Sequence, residues 1–248
     1  MIKQFCIFIL AMPLLFLSCD IVGGGSDGSS SSSGKTESQK NGIVTFYTTY
    51  NEDSVAYYTP ELENGWYKCA VSENKLGEFP PQSAAKITHN GKTIRMLVTD
   101  LCPNVGNSQW TSKSNYFFDL AENAFAALDD KVKGHLDDVS IQRIAYETNK
   151  NIKFAVKDGS SQWWLAGRFY NMRYPLAKVE YSSNGNTFKE MEKLDGNKNN
   201  WWVIKSGNDL FSNLQFRLTD VYGNTITCAA ISKLSVGGTY DLGKNFSY

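Results

Sequence analysis

The 248-residue sequence is poor in the side chains that hold metals. It has two histidines, His89 and His135, and five cysteines scattered singly, so neither a C-x-x-C pair nor an H-E-x-x-H run occurs. No metal and no cofactor are expected. Positive charge is not in excess: 25 Lys and Arg stand against 25 Asp and Glu. Proteins that grip nucleic acid by neutralising phosphates carry a basic surplus, and that class is excluded. No apolar run reaches the roughly 20 residues that a membrane-crossing helix needs, and no repeat of about 20–50 residues is visible. What is present is a composition that buries a core, with 42% hydrophobic and 13% aromatic residues, which rules out disorder along the whole chain.

The first forty residues read as an address and a tether. Lys3 is followed by thirteen uncharged, mostly apolar residues, Phe5–Leu17, the h-region of a secretory signal. Leu14-Leu15-Phe16-Leu17-Ser18-Cys19 resembles a bacterial lipoprotein signal, in which a small residue precedes the cysteine that becomes the lipidated N-terminus. Residues 1–18 are then the signal peptide, and Cys19 anchors an exported protein to the cell envelope. The alternative is ordinary cleavage, with Cys19 a spare thiol. Gly23–Asn41 has no apolar side chain, and as a coil its nineteen residues reach about 24 Å. Residues 19–41 are therefore expected to be a disordered Ser/Gly tether. Export permits disulfides. The expected bridge is Cys69–Cys102, both in the first folded half, with Cys228 reduced and buried; the alternative leaves all three reduced.

From Gly42 onward the pattern is mainly β. Runs rich in β-branched and aromatic residues recur at Ile43–Tyr47, Thr93–Val98, Ile152–Val156, Trp163–Phe169, Ala177–Tyr181, Trp201–Ile204 and Leu214–Leu218. Turn dipeptides such as Asn90-Gly91, Asp158-Gly159 and Asn184-Gly185 separate them. One helical period interrupts, Ala121–Lys131, with apolar residues at Ala121, Ala124, Phe125 and Leu128. The polar run Glu147–Asn151 divides a first domain, 42–146, from a second, 148–248. Strands about 10 residues apart make the second an antiparallel sandwich, and the first reads as a barrel with insertions.

Two features point to chemistry. Four of the six tryptophans come as adjacent pairs, Trp163-Trp164 and Trp201-Trp202. Adjacent strand residues face opposite sides of a sheet, so burying both members needs apolar packing on both faces. An exposed aromatic platform that stacks on the apolar faces of neutral sugars is one reading; one core tryptophan per pair is the other. Asp100 and Asp119 are flanked by apolar residues, a setting that perturbs a carboxyl pKa, and glycoside hydrolysis uses two such acids. Alternatively each is a turn or cap residue, and Asp119 stands just before the helical run.

Motifs along both halves resemble those of bacterial expansins, two-domain proteins that loosen plant cell walls. They are Thr45-Phe46-Tyr47, Val98-Thr99-Asp100-Leu101 with Pro103, Asp119-Leu120 with Asn123-Ala124-Phe125, and Lys157-Asp158-Gly159-Ser160-Ser161-Gln162-Trp163-Trp164. Tyr174-Pro175, Met191-Glu192-Lys193 and Arg217-Leu218-Thr219-Asp220 continue the series in the same order. The resemblance implies a six-stranded double-psi β-barrel followed by an immunoglobulin-like β-sandwich that binds cellulose. It implies a groove acid at Asp119, with Asp100, Thr45 and Tyr47 positioning a glucan. It places Trp163 and Trp164 in a stacking platform, with Lys157 bonding to sugar hydroxyls. In two places the chain departs from the family pattern. Cys102 stands where bacterial members often carry tyrosine, and the third platform aromatic falls on Gly196, so Trp201 or Trp202 is expected to replace it. The implied activity is non-hydrolytic disruption of glucan contacts by a monomer, without a complete catalytic carboxylate pair. Alternatives are a glycan-cleaving enzyme on the same barrel, a lytic transglycosylase or endoglucanase, or a pure cellulose adhesin.

Overall fold

The computed structural model describes residues 34–48, 56–57, 61–194 and 198–248. The expected signal peptide, Cys19, the expected tether as far as residue 33 and Gly196 lie outside the described residues. Strands β1 (Lys40–Tyr47), β2 (Trp66–Ser72), β3 (Ala84–His89), β4 (Lys92–Cys102), β5 (Tyr116–Ala121) and β6 (His135–Ile144) close into a barrel in the order β1-β5-β2-β4-β3-β6. Two pairs, β1–β5 and β2–β4, run parallel, and the remaining contacts are antiparallel. Alternation sends Val44, Ile87, Met96, Val98, Phe118 and Ile141 into the barrel interior. The β3–β4 hairpin turns on Asn90-Gly91, both at positive φ (49° and 78°), as a two-residue turn that matches strand twist requires.

Helix α1 (Ser108–Thr111) is a single turn, and α2 (Glu122–Leu128) is shorter than its sequence period suggests. Ala121 is still strand, and the helix ends because Asp129 is extended at φ −157°. The basic residues that continue the pattern form a separate 3₁₀ turn, Lys131–Lys133, capped by the Asp130 carboxylate, which accepts from Val132 N.

Ten further strands form the sandwich: β7 (Lys153–Val156), β8 (Leu165–Tyr170), β9 (Leu176–Ser182), β10 (Lys189–Glu190), β11 (Glu192–Lys193), β12 (Trp202–Ile204), β13 (Ser212–Asp220), β14 (Thr225–Thr227), β15 (Ile231–Lys233) and β16 (Thr239–Asp241). One sheet has the order β10-β9-β13-β14 with β15 also on β13, and the other β11-β12-β8-β7-β16. Phe154, Phe169 and Phe216 meet between the sheets with ring centroids 4.5–5.2 Å apart. On the β9–β13 pair Glu180 lies directly opposite Arg217 and accepts two hydrogen bonds from its guanidinium, 2.8 and 2.6 Å. Chiefly through that contact the Glu180 pKa falls from 4.5 to about 2. A carboxylate with a depressed folded-state pKa stabilises the fold above its unfolded pKa and loses that contribution as pH falls through the folded value. The denaturant midpoint should therefore drop between pH 4.5 and about 2. Glu180→Gln should flatten that part of the pH profile; an unchanged profile would exclude the pair as its source.

The segment joining barrel to sandwich is hydrogen-bonded to both, with Tyr146 and Thr148 buried and Glu147, Asn149 and Lys150 exposed. Tyr146 N donates to Arg173 O at 2.8 Å, and Thr148 Oγ1 donates to Glu63 Oε1 at 2.7 Å. The Arg173 guanidinium returns hydrogen bonds to Thr148 O and Phe246 O and lies 4.0 Å over the Tyr248 ring. Barrel and sandwich belong to one compact unit.

Two expectations need correction. The last part of the expected tether, 34–41, packs on the body: Lys35 N donates to Tyr174 Oη at 2.9 Å, Glu37 pairs with Arg143, and β1 begins at Lys40. Gly34 sits where a Cβ would lie 2.6 Å from Ala145 Cβ, so the close approach needs glycine. The Cys69–Cys102 bridge is not formed; both thiols are free and buried, as is Cys228. Cys69 pairs with Val98 whereas Cys102 pairs with Ser72, three residues farther along β2. That offset is about 10 Å along the strand, beyond the roughly 7 Å that a disulfide spans between Cα atoms. The two thiols also join different clusters, Cys69 inside the barrel and Cys102 beneath its outer face.

Candidate functional site

Four strands bring the two acids onto one face. Thr45 on β1 is in register with Asp119 on β5, Asp119 with Ala70 on β2, and Ala70 with Asp100 on β4. Asp119 and Asp100 thus stand two strands apart, about 10 Å between Cα atoms, with a methyl side chain between them. Strict alternation would not put them there. The β2–β4 register slips between Cys69 and Ala70, leaving Thr99 as an extra residue that turns Asp100 out of the interior row of Met96 and Val98. A second slip, between Ile43 and Val44, leaves Phe117 extra on β5, so Tyr116 and Asp119 share the outer face although they are an odd three positions apart. Each slip is a bulge that re-aims a side chain.

Asp119 is no helix cap. Its Oδ1 accepts a hydrogen bond from Thr45 Oγ1 at 2.6 Å, and the N-terminus of α2 has no side-chain cap. Burial pushes the Asp119 pKa up; the Thr45 bond opposes that, and the nearby Asp100 charge adds to it. Burial raises Asp100 too, against the pull of two backbone donors on its Oδ1, Ala56 N (2.9 Å) and Leu101 N (2.8 Å). Asp119 is therefore a carboxyl that takes up a proton more readily than a free one, while one oxygen of Asp100 is committed to holding backbone. Beneath the row, Ile43, Ala70, Cys102 and Tyr116 form a small apolar floor with Tyr47 and Trp110 at its sides. Along the strands from the acids, Tyr47 pairs with Ala121 and opens a cavity of about 500 Å³ lined also by Trp66, Lys68, Glu122 and Asn123. At the other side the Trp110 ring packs tilted against His135, 4.9 Å between centroids, and His135 is in register with Thr45.

The sandwich carries the tryptophans differently from the expectation of strand pairs. Trp163 and Trp164 precede β8, in a turn where Ser161 N donates to Trp164 O at 2.7 Å. Trp163 is 56% exposed and Trp164 half-buried. Trp202 is core, 3% exposed. It pairs with Gly167, where a Cβ would lie 2.2 Å from the Phe154 ring, so that residue is glycine by necessity and Trp202 points inward with it. Trp202 is thereby removed from the platform. Trp201, of opposite parity, stays on the outer face with the Arg168 guanidinium 4.6 Å and Lys157 Nζ 5.5 Å from its ring. The loop before Trp201 reaches the barrel through Lys198, whose Nζ is 2.6 Å from Glu73, next to the end of β2. Sequence reasoning missed Tyr116, Trp110, His135 and Arg168. The bulge hid the first, and no motif marks the others.

The comparisons with known proteins agree with this geometry. The chain is 31% identical to expansin-YoaJ of Bacillus subtilis over 179 residues, 72% of this chain and 66% of that protein. It belongs to the expansin family. Expansin-like protein 1 of Dictyostelium discoideum is 24% identical over 262 residues, covering 99% of this chain and 82% of its own length. The chain thus spans about two thirds of its Bacillus relative. No protein-family model matches. Among solved structures, the apo expansin of Clavibacter michiganensis superposes with a TM-score of 0.70 at 22% identity, covering 85% of this chain and 99% of that one. A mutant of the same expansin, solved in complex with cellohexaose, superposes with a TM-score of 0.68 at 21% identity. These likenesses fix the expansin fold, barrel followed by sandwich.

Proposed function

We propose that this expansin loosens cellulose-rich plant wall without hydrolysis, the sandwich holding the fibre while the barrel face draws a single glucan away from its neighbours. One observation carries the reading: an exposed tryptophan surface and a half-buried acid row stand on one compact unit, so both can engage one polymer. Trp163, Trp164 and Trp201 stack on pyranose faces, and Lys157 bonds to sugar hydroxyls. Asp119 bonds to the displaced glucan, with Thr45, Tyr47 and Asp100 around it. The commitment of Asp100 to Ala56 N and Leu101 N supports the non-hydrolytic reading, because an acid that anchors backbone is poorly placed to activate water. The relative solved with cellohexaose supports a glucan as ligand. Export and lipid anchoring at Cys19 belong to the same proposal, the Ser/Gly-rich composition suiting a spacer that lets the protein reach the wall.

A second reading, a glycan-cleaving enzyme, has one observation in its favour: the raised proton affinity of Asp119 suits a general acid. Incubating the full chain with crystalline cellulose separates the two readings. Bound protein with no soluble reducing sugar is expected; sugar release that disappears in Asp119→Asn would establish the enzyme. Retention on peptidoglycan instead of cellulose would remove the platform reading as well.

A further inference from the structure

Position 102, where the family resemblance leads one to expect tyrosine, is cysteine, yet the space beside it holds a phenol from β5, two strands away across β2. Tyr116 Oη lies 3.7 Å from Cys102 Sγ and 2.8 Å from Thr45 Oγ1, which is 2.6 Å from Asp119 Oδ1. Proton counting gives this chain a direction. Thr45 has one hydroxyl proton, and a carboxylate accepts only. With that proton on the Asp119 side, the Thr45 oxygen can only accept from Tyr116, so the phenol donates. The phenol oxygen then has a lone pair for the Cys102 thiol. Packing fixes the ring in this position, since Tyr116 is 1% exposed, lies 6.0 Å from the Trp110 ring, and reaches this face only through the bulge at Phe117.

We propose that Tyr116 is a positioning residue whose phenol holds the Thr45 hydroxyl in the orientation that donates to Asp119. The functional weight of this inference rests on Asp119 as the working acid of the groove, whereas the hydrogen-bond geometry stands independently. The titratable groups around Asp119 are Asp100 on β4, Cys69 on β2, Cys102 on β4 and Tyr116 itself. His135 lies across Thr45 on β6, and Lys68 lies two residues from Ala70 on β2. Tyr116→Phe keeps the ring and removes the hydroxyl, the donor to Thr45 Oγ1 and the atom that faces Cys102 Sγ. Thr45 is then free to turn, and the charged form of Asp119 loses support while Asp100, held by Ala56 and Leu101, does not.

The test is a carbon-13 titration of the aspartate carboxyls in the full chain, with Asp119 assigned through Asp119→Asn. In Tyr116→Phe the Asp119 midpoint should rise by about 0.5–1 pH unit, roughly a three- to tenfold gain in proton affinity, with Asp100 unmoved. An unmoved Asp119 midpoint in a folded Tyr116→Phe chain overturns the inference. In the unmodified chain the Tyr116 hydroxyl proton should exchange slowly and show a cross-peak to the Thr45 methyl; exchange as fast as that of an exposed tyrosine also overturns it. If the midpoint moves yet Asp119→Asn loosens wall normally, the positioning role stands and the functional reading of the groove fails.

Discussion

Asp119→Asn should leave cellulose retention within about twofold of the unsubstituted chain while lowering wall loosening by more than about tenfold, the change that a loss of roughly 1.4 kcal/mol produces. The substitution nearly preserves shape. An amide oxygen still accepts from Thr45 Oγ1, so the bond at 2.6 Å has a replacement and the barrel keeps its row. What disappears is the charge and the exchangeable proton, and hydrogen bonds to charged groups contribute about 1.5–3 kcal/mol. On the proposed function, retention depends instead on Trp163, Trp164 and Trp201 on the sandwich. The measurements are creep of heat-inactivated wall strips under constant load and depletion of protein by crystalline cellulose. Loosening that survives Asp119→Asn but vanishes in Trp163→Ala with Trp201→Ala would reduce the protein to an adhesin.

Phe154→Ala should destabilise the fold by about 3–5 kcal/mol, the usual cost of emptying a buried aromatic site. Phe154 is fully buried, 4.5 Å from Phe216 and 4.9 Å from Phe169 between ring centroids. Its ring also fills the space over Gly167. With three rigid neighbours the site has little freedom to collapse, which places the cost in the upper part of that range. Since domains of this kind have about 5–15 kcal/mol in total, a large fraction of stability would go. Denaturant unfolding of the full chain gives the value directly. A loss below about 1 kcal/mol would mean that the two sheets close over the gap.

The architecture was legible in the sequence because alternation and turn dipeptides are local signals. The strand runs at Ile43, Thr93, Ala177 and Leu214 and the Asn90-Gly91 turn all appear in the structure. The parts that were illegible depend on single residues against distant partners. One extra residue at Thr99 and one at Phe117 decide which side chains share the acid-bearing outer face, and period-two reasoning has no means of seeing a slip of one. Which member of Trp201-Trp202 turns inward is set by Gly167 on the adjacent strand. The disulfide expectation failed on register, since shared domain membership says nothing about a three-residue offset. The tether was placed too far along because Glu37 and Lys35 look solvated until Arg143 and Tyr174 are known to stand beside them.

The bonded junction at Tyr146, Thr148 and Arg173 also has a mechanical meaning. A slack linker between two binding bodies would act as a soft spring, stretching first and relaxing any tension before it reached the second body. Here the connection is short and cross-braced by Arg173 and by the strap from Lys35 to Glu37. On the proposed function, load taken up where the sandwich binds a fibre would be transmitted to the barrel with little loss, as through a stiff lever. Small thermal displacements of one body would then become displacements of a glucan strand held by the other.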